Sequence, residues 1–152
     1  MWSFIRNVFR VRFFHKNRIS TRVVTRKNTG ILGEAYIYEL LLNSGKFKTV
    51  KWNMLNSSGT GNREIFMFHK NIYFISPSNG KHYDIFAETF NNKKIYIEVK
   101  STRAEYGSKI PFYISKKQIE MMKRTHPPNE YLLAIVFDVY ENPKHFFMTL
   151  KK

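Results

Sequence analysis

A glutamate and a lysine stand two residues apart in the apolar stretch KIYIEVKS, residues 94–101. Side chains of a strand alternate between its two faces, so Tyr96, Glu98 and Lys100 share one face and the β-branched residues share the other. A solvated ion pair on an exposed strand is one interpretation of this pattern. A metal site is the other, and the rest of the chain has to distinguish them.

A second carboxylate, Asp84, lies on the preceding strand and is joined to the first by a tight turn. A two-residue loop would put Asp84 on the wrong face of the sheet. A three-residue loop, 91–93, places Asp84 opposite Lys100 and Phe86 opposite Glu98, and asparagine readily adopts the left-handed conformation that such a loop needs. We therefore expect Asp84, Glu98 and Lys100 to cluster at one end of one sheet face.

A third carboxylate, Glu34, falls on a predicted helix. On a helical wheel of residues 31–43, Glu34 lies in the middle of the apolar stripe, whereas Glu39 and Asn43 lie on the polar side. A carboxylate that faces a core must be paired, hydrogen-bonded or bound to a cation. The alternative is a first-turn glutamate favoured by the helix dipole at the rim of the core. The adjacent Gly33 permits close approach of another backbone or a ligand.

Two neighbouring carboxylates bind Mg²⁺ or Mn²⁺, hard cations that prefer oxygen ligands and retain several waters. Such an ion polarises a phosphoryl oxygen and lowers the pKa of a bound water. Lys100 beside it would orient that water or stabilise the charge that develops on the phosphorane. The chemistry that these residues predict is phosphodiester hydrolysis.

The composition agrees with an anionic substrate. The 152 residues include 26 Lys and Arg against 11 Asp and Glu, a net charge of +15 that attracts polyanions. The chain has no cysteine, which excludes thiol catalysis, disulfides and Cys-based zinc sites and fits an intracellular protein. No apolar run approaches the roughly 20 residues that span a bilayer, so we expect no membrane partner.

The charge is concentrated at the N-terminus, where residues 1–33 carry eight Lys and Arg and no acid. We treat residues 1–29 as a separate basic segment and residues 30–152 as one globular domain. Three interpretations of the segment stay open. It is a mitochondrial targeting peptide, an arm that lies along phosphates, or a basic element packed on the domain.

The pattern of apolar residues predicts a mixed α/β domain with a central sheet flanked by helices. A helix of about 13 residues ends at Gly45, and Ser115 opens a second one. The strands are predicted at 46–52, in a hairpin within 65–75, and at 82–90, 94–101, 130–140 and 145–150. The strand at 130–140 is almost continuously apolar, which is typical of burial on both faces.

Four stretches together resemble a known family: GEAYIYELL (33–41), HYDIF (82–86), YIEVKST (96–102) and PFYISKKQIEMM (111–122). The Asp on one strand and Glu-x-Lys on the next are similar to the PD-(D/E)xK nucleases. The resemblance is closest to the domain related to the C-terminal part of the plant protein NO VEIN. It covers about residues 30–140 and leaves out the first 30 residues and the insert 57–78.

The resemblance implies a restriction-endonuclease-like core and a role for each matching residue. Asp84 and Glu98 would bind Mg²⁺ or Mn²⁺, with the Val99 carbonyl as a further ligand. Lys100 would position the attacking water, and Glu34 would reach the metal directly or through water. The function implied is that of a metal-dependent endonuclease, with Glu34, Asp84, Glu98 and Lys100 as the catalytic set.

Other residues have two interpretations each. Ser115 and Gln118 form a capping box at the start of a helix, or Gln118 points into the site. His82 contacts a phosphate, or is an incidental residue at the start of a strand. Lys116 and Lys117 track a phosphate backbone or belong to a solvated helix face.

We therefore expect a nuclease that prefers DNA to RNA as its partner, acting alone, as a homodimer or within a larger nucleoprotein complex. Two alternatives remain: a nucleic-acid-binding module that keeps the fold without cutting, and a structural subunit of a ribonucleoprotein, for instance in a mitochondrion.

Overall fold

The computed structural model describes residues 26–56, 63–76 and 81–149. The basic segment 1–29 lies outside the described residues except for its last four residues. The three interpretations of this segment therefore concern residues that the structure does not describe. Helix α1, Arg26–Asn43, begins inside that segment and is 18 residues long, so it is longer than the helix predicted. Gly45 follows its end with φ 67°, as a helix-terminating glycine does. None of the described helices has the length and apolar character needed to cross a membrane.

The described residues form seven strands and a second helix. In chain order the strands are β1 Phe47–Trp52, β2 Glu64–Phe68, β3 Asn71–Ile75, β4 Ile85–Thr89, β5 Lys94–Ser101, β6 Glu130–Phe137 and β7 Lys144–Met148, and helix α2, Lys116–Arg124, lies between β5 and β6. Five strands form the central sheet in the order β1-β4-β5-β6-β7, with only the β5–β6 pair parallel. This mixed sheet with its two helices is the predicted α/β class and is consistent with a restriction-endonuclease-like core.

The core has two parts because the sheet is covered on both faces. Helix α1 packs on one face, where Ile37, Ile97 and Val136 belong to the same buried cluster. On the other face the segment after β5 and helix α2 cover a smaller cluster built on Leu133 and Ile135. Strand β6 contributes to both parts, which confirms the prediction that it is buried on both faces.

The predicted hairpin within 65–75 is confirmed as β2–β3, which forms a separate two-stranded sheet. Its inner side chains, among them Phe66 and Ile75, join the core beside α1. The prediction that Glu39 lies on the polar side of α1 is wrong. Glu39 is 7% exposed and accepts hydrogen bonds from Asn71 Nδ2 at 2.9 Å and Tyr73 Oη at 2.7 Å. The hairpin covers a flank of the helix that a single apolar stripe does not reveal.

Candidate active site

Strand β5 presents Glu98 and Lys100 on the sheet face opposite α1, as the alternation predicts. The Lys100 Nζ lies 2.8 Å from Glu98 Oε1. The Glu98 side chain is only 9% exposed and that of Lys100 is 22% exposed. A solvated surface pair would leave both groups in water, so the first of the two interpretations of this strand does not apply.

The register between β4 and β5 differs from the one predicted. The loop has three residues as expected, but they are 90–92, because Thr89 N donates to the Lys93 carbonyl at 2.9 Å. Asn92 takes the left-handed conformation with φ 65°. Phe86 therefore pairs with Tyr96, and the predicted pairs Phe86–Glu98 and Asp84–Lys100 are wrong. The last pair of this ladder is Ile85 with Ile97, so the next position along both chains brings Asp84 beside Glu98.

Asp84 precedes the first residue of β4 and closes the end of the β4–β5 ladder. Its Oδ2 accepts a hydrogen bond from Val99 N at 2.8 Å, while its own N donates to the Ile97 carbonyl at 2.8 Å. The Asp84 carboxylate thus accepts the Val99 N–H bond that a backbone carbonyl of a longer β4 would accept. Two hydrogen bonds fix Asp84 to the strand that carries Glu98 and Lys100.

Glu34 approaches from the opposite side of the sheet, on α1. Its Oε2 accepts a hydrogen bond from Trp52 Nε1 at 2.7 Å. Trp52 is the last residue of β1 and is 2% exposed. Because α1 begins at Arg26, Glu34 is not in the first turn, and the helix-dipole interpretation of this residue is wrong.

The four charged groups lie within electrostatic reach of one another. Burial raises the pKa of Asp84 to about 9, and the charges of Glu34 and Glu98 raise it as well, against the Val99 N–H and Lys100. Burial also raises the pKa of Glu34 to about 7, with the Trp52 hydrogen bond opposing and the Glu98 charge adding. One ammonium group therefore faces three carboxyl groups, and the site favours added positive charge.

The close packing of α1 on β5 depends on Gly33. A Cβ at this position would lie 1.7 Å from Ser101 Oγ and 2.8 Å from Ser101 Cβ. This confirms the prediction that Gly33 allows another segment to approach, and the segment is strand β5. The Ser101 hydroxyl is buried with no hydrogen-bond partner among the described residues.

As the side chains stand, no group of three or more His, Cys, Asp or Glu side chains within 26–56, 63–76 and 81–149 could hold a metal ion. Mg²⁺ is commonly held by one or two carboxylates, with water and substrate phosphate oxygens completing its shell. Asp84 and Glu98 are such a two-carboxylate set. A divalent cation would offset both the burial and the carboxylate repulsion that raise the pKa of Asp84. The residues present therefore fit the predicted ion.

The remaining predicted residues lie at the start of α2, before β4 and on β5. The capping-box interpretation is confirmed, because Gln118 Oε1 accepts from Ser115 N at 2.8 Å and Ser115 Oγ accepts from Gln118 N at 3.1 Å. Lys116 and Lys117 are exposed in the first turn of α2. The His82 carbonyl accepts a hydrogen bond from a tyrosine of β6, and the Val99 side chain is buried beside α1.

Two neighbours of the site were not predicted from the sequence. Trp52 holds Glu34, and Tyr131 Oη donates to the His82 carbonyl at 2.5 Å. Burial raises the pKa of Tyr131, and the charges of Glu98 and Asp84 raise it further, which places this phenol beside the carboxylates. Alternation alone marks Trp52 as an end residue of a strand. The parallel β5–β6 register that brings Tyr131 to the site has no signal in a single sequence.

Comparison with known proteins supports the resemblance in the motifs. The model of a family described as Protein NO VEIN, C-terminal matches residues 33–148, including the insert 57–78. No curated protein and no solved structure matches the chain. The matched region contains all three carboxylates and Lys100 and covers most of the 152 residues. The chain belongs to the Protein NO VEIN, C-terminal family.

Proposed function

We propose that this domain is a divalent-metal-dependent nuclease that hydrolyses phosphodiester bonds, with DNA preferred to RNA. One observation carries the proposal. Asp84 and Glu98 lie side by side at the end of the β4–β5 ladder, with Lys100 bonded to Glu98 at 2.8 Å. Burial, and after it the charges of Glu34 and Glu98, raise the pKa of Asp84, and a shift of this kind supports a functional site.

Each residue has a role in this proposal. Asp84 and Glu98 would hold Mg²⁺ or Mn²⁺, with the Val99 carbonyl as a further ligand. When bound, the ion would supply Lewis-acid stabilisation of the phosphoryl oxygens. Lys100 donates hydrogen bonds and carries positive charge, so it would orient the attacking water and stabilise the developing oxyanion.

Glu34 would act from the other side of the sheet. Its Trp52 hydrogen bond fixes one carboxylate oxygen. No donor within the described part of the chain bonds the other oxygen, which can therefore accept a proton or a hydrogen bond from water. With a pKa near 7, Glu34 exchanges protons at neutral pH, as a general base or acid must. We infer that it accepts the proton of the attacking water, directly or through a second water.

The charge of the chain supports a nucleic acid as substrate. The net charge of +15 supplies sequence-independent affinity for phosphates that weakens as salt rises. Lys116 and Lys117 are exposed on α2 and would contact the phosphate backbone of the nucleic acid. Gln118 and His82 would lie near that backbone. We propose an intracellular location, mitochondrial if residues 1–29 are a targeting peptide, and action as a monomer, a homodimer or part of a nucleoprotein complex.

The second candidate is a nucleic-acid-binding or structural ribonucleoprotein subunit that keeps the fold without cutting. It is favoured by the lack of a ready three-ligand group among the described side chains. It predicts tight, salt-sensitive binding and no effect of Lys100→Ala on any activity of the protein.

The test is cleavage of supercoiled plasmid and of single-stranded oligonucleotides by the full chain at low salt, with Mg²⁺, with Mn²⁺ and with chelator. We expect metal-dependent cleavage that Asp84→Asn and Lys100→Ala each reduce by about two to four orders of magnitude. The matched control is Lys94→Ala, which removes an exposed lysine from the same strand and should leave the rate unchanged. Absence of cleavage with both metals, in protein that still binds DNA, would favour the second candidate.

A further inference from the structure

An open groove of about 590 Å³ lies on the same sheet face as Glu98 and Lys100. Its floor is formed by residues of β6 and β7, and the segment 107–112 forms a wall beside that floor. The lining is apolar and aromatic, with one cation: Lys109, Ile110, Phe112, Ile135, Phe137 and Phe146. The proposed hydrolysis does not use this surface.

The strand register connects the groove to the candidate active site. Lys100 pairs with Ile135 on β6, and Ile135 pairs with Phe146 on β7. Paired residues point to the same face, and neighbouring strands lie about 5 Å apart, so Phe146 is roughly 10 Å from Lys100 across the sheet. The groove therefore begins one strand away from the lysine.

Aromatic rings in and around the groove are open to solvent. Phe112 and Phe146 are 39% exposed and Tyr106 is 54% exposed. Beneath them Phe137 is buried, with its ring 6.0 Å from that of Phe146 at an interplanar angle of 27°. The Tyr106 ring lies 5.5 Å from Phe137, so the exposed rings rest on a fixed base.

The rim of the groove is positive. The Lys144 ammonium lies 5.9 Å from the centre of the Tyr106 ring, and Lys109 is part of the lining. The segment 103–117 carries four Lys and Arg against one acid, Glu105. Aromatic surface combined with basic groups is the arrangement that binds single-stranded nucleic acid, because rings stack on unpaired bases while cations contact the phosphates.

We propose that this groove binds unpaired bases of a single strand whose backbone continues across Lys100. The proposal rests on the proposed function and deepens it, since it names single-stranded or locally opened nucleic acid as the substrate class. A base in a duplex has both faces covered by its neighbours and cannot stack on Phe112 or Phe146. The basic rim favours this occupant over an apolar peptide, which would gain nothing from the lysines.

The experiment measures binding by fluorescence anisotropy in chelator, so that no cleavage is needed. The full chain is titrated with labelled oligothymidylate, with an abasic oligonucleotide of the same length, and with a duplex of the same length. Stacking of one base is worth about 1–3 kcal/mol, which is roughly 5- to 150-fold in affinity. We expect oligothymidylate to bind at least tenfold more tightly than the abasic strand and more tightly than the duplex.

Substitutions locate the effect. Phe112→Ala with Phe146→Ala should remove most of the preference for oligothymidylate without changing affinity for the abasic strand, and Phe146→Trp should retain the preference. The control is Phe90→Ala, an aromatic that is 69% exposed in the turn at the other end of β5.

Equal affinity for the oligothymidylate and abasic strands overturns the proposal, and so does duplex binding as tight as that of oligothymidylate. An equal loss of affinity for both strands in the double variant, in protein that melts like the wild type, also overturns it, because the rings would then not act through the bases. Oligodeoxyuridylate and oligouridylate, which share a base and differ in the sugar, show in parallel titrations which sugar is preferred. Because chelator is present throughout, a failed cleavage test leaves this result interpretable, and a failed binding test does not affect the hydrolysis proposal.

Discussion

Replacing Asp84 with asparagine should make the metal-free protein more stable at alkaline pH and have a smaller effect under acidic conditions. The usual pKa of this carboxyl is 3.8, and burial beside two other carboxylates raises it to about 9. Between these values the native state holds a proton that the unfolded state has released. The stability of the wild type therefore falls as pH rises through this range. Asparagine cannot ionise and removes that dependence.

The size of the effect follows from the pKa difference. Over three pH units, from pH 5 to pH 8, a proton held only by the native state changes the unfolding free energy by about 1.36 kcal/mol per unit, or about 4 kcal/mol in all. Any constant cost of burying the amide cancels when the two pH values are compared. For a chain of this size the corresponding change in melting temperature is about 10 °C.

The assay is urea unfolding of wild type and Asp84→Asn in chelator at pH 5 and pH 8. Glu88→Gln is the matched control, because the hydrogen bond and charge of Lys48 lower the pKa of Glu88, so that this carboxylate is mostly ionised in both states over this range. A stability difference between Asp84→Asn and wild type that is the same at both pH values would refute the reasoning. In Mg²⁺ the wild type should gain stability at pH 8 and the variant should not.

Three further substitutions test the elements that position the site. Gly33→Ala should lower the unfolding free energy by about 1–3 kcal/mol in urea titrations, because Ser101 cannot retreat from the new Cβ; adding Ser101→Gly should recover part of the loss. Glu39→Ala should cost about 2–4 kcal/mol, since it leaves the donors of the β2–β3 hairpin unpaired, and amide exchange should accelerate first in that hairpin. Ser115→Ala should cost about 1 kcal/mol through loss of the cap, whereas Ser115→Asp should be close to wild type by thermal melting.

Local patterns predicted much of this fold. Period-two alternation identified the strands and the shared face of Glu98 and Lys100, and the pair Ser115 and Gln118 marked the start of α2. These signals depend on neighbours along the chain, which a sequence contains in full. The class of the fold followed from the order of the elements, because helices interspersed with strands predict a central sheet with helices packed on it.

The errors arose where distant segments decide the outcome. Glu39 is buried by the β2–β3 hairpin, and Leu42, on the predicted apolar stripe, is 46% exposed. A helical wheel assumes that one face is covered, but α1 is covered by the sheet and by the hairpin. The loop between β4 and β5 includes Phe90, an apolar residue that resembled the end of a strand. Its side chain is 69% exposed, so turn geometry prevailed over hydrophobicity.

The register error changes the chemistry of the site even though it leaves the face unchanged. The two registers differ by two residues, and an even shift keeps every side chain on its own face. In the predicted register Asp84 would have faced Lys100, and the charges of its carboxylate and of the lysine ammonium would have cancelled. In the observed register Asp84 adjoins Glu98, whose Oε1 already accepts from Lys100. Among the described residues, the Val99 N–H is the one hydrogen-bond donor to the Asp84 carboxylate. A divalent cation between the two carboxylates would supply the charge that this register leaves missing, and this makes the observed arrangement a stronger argument for a metal site than the predicted one.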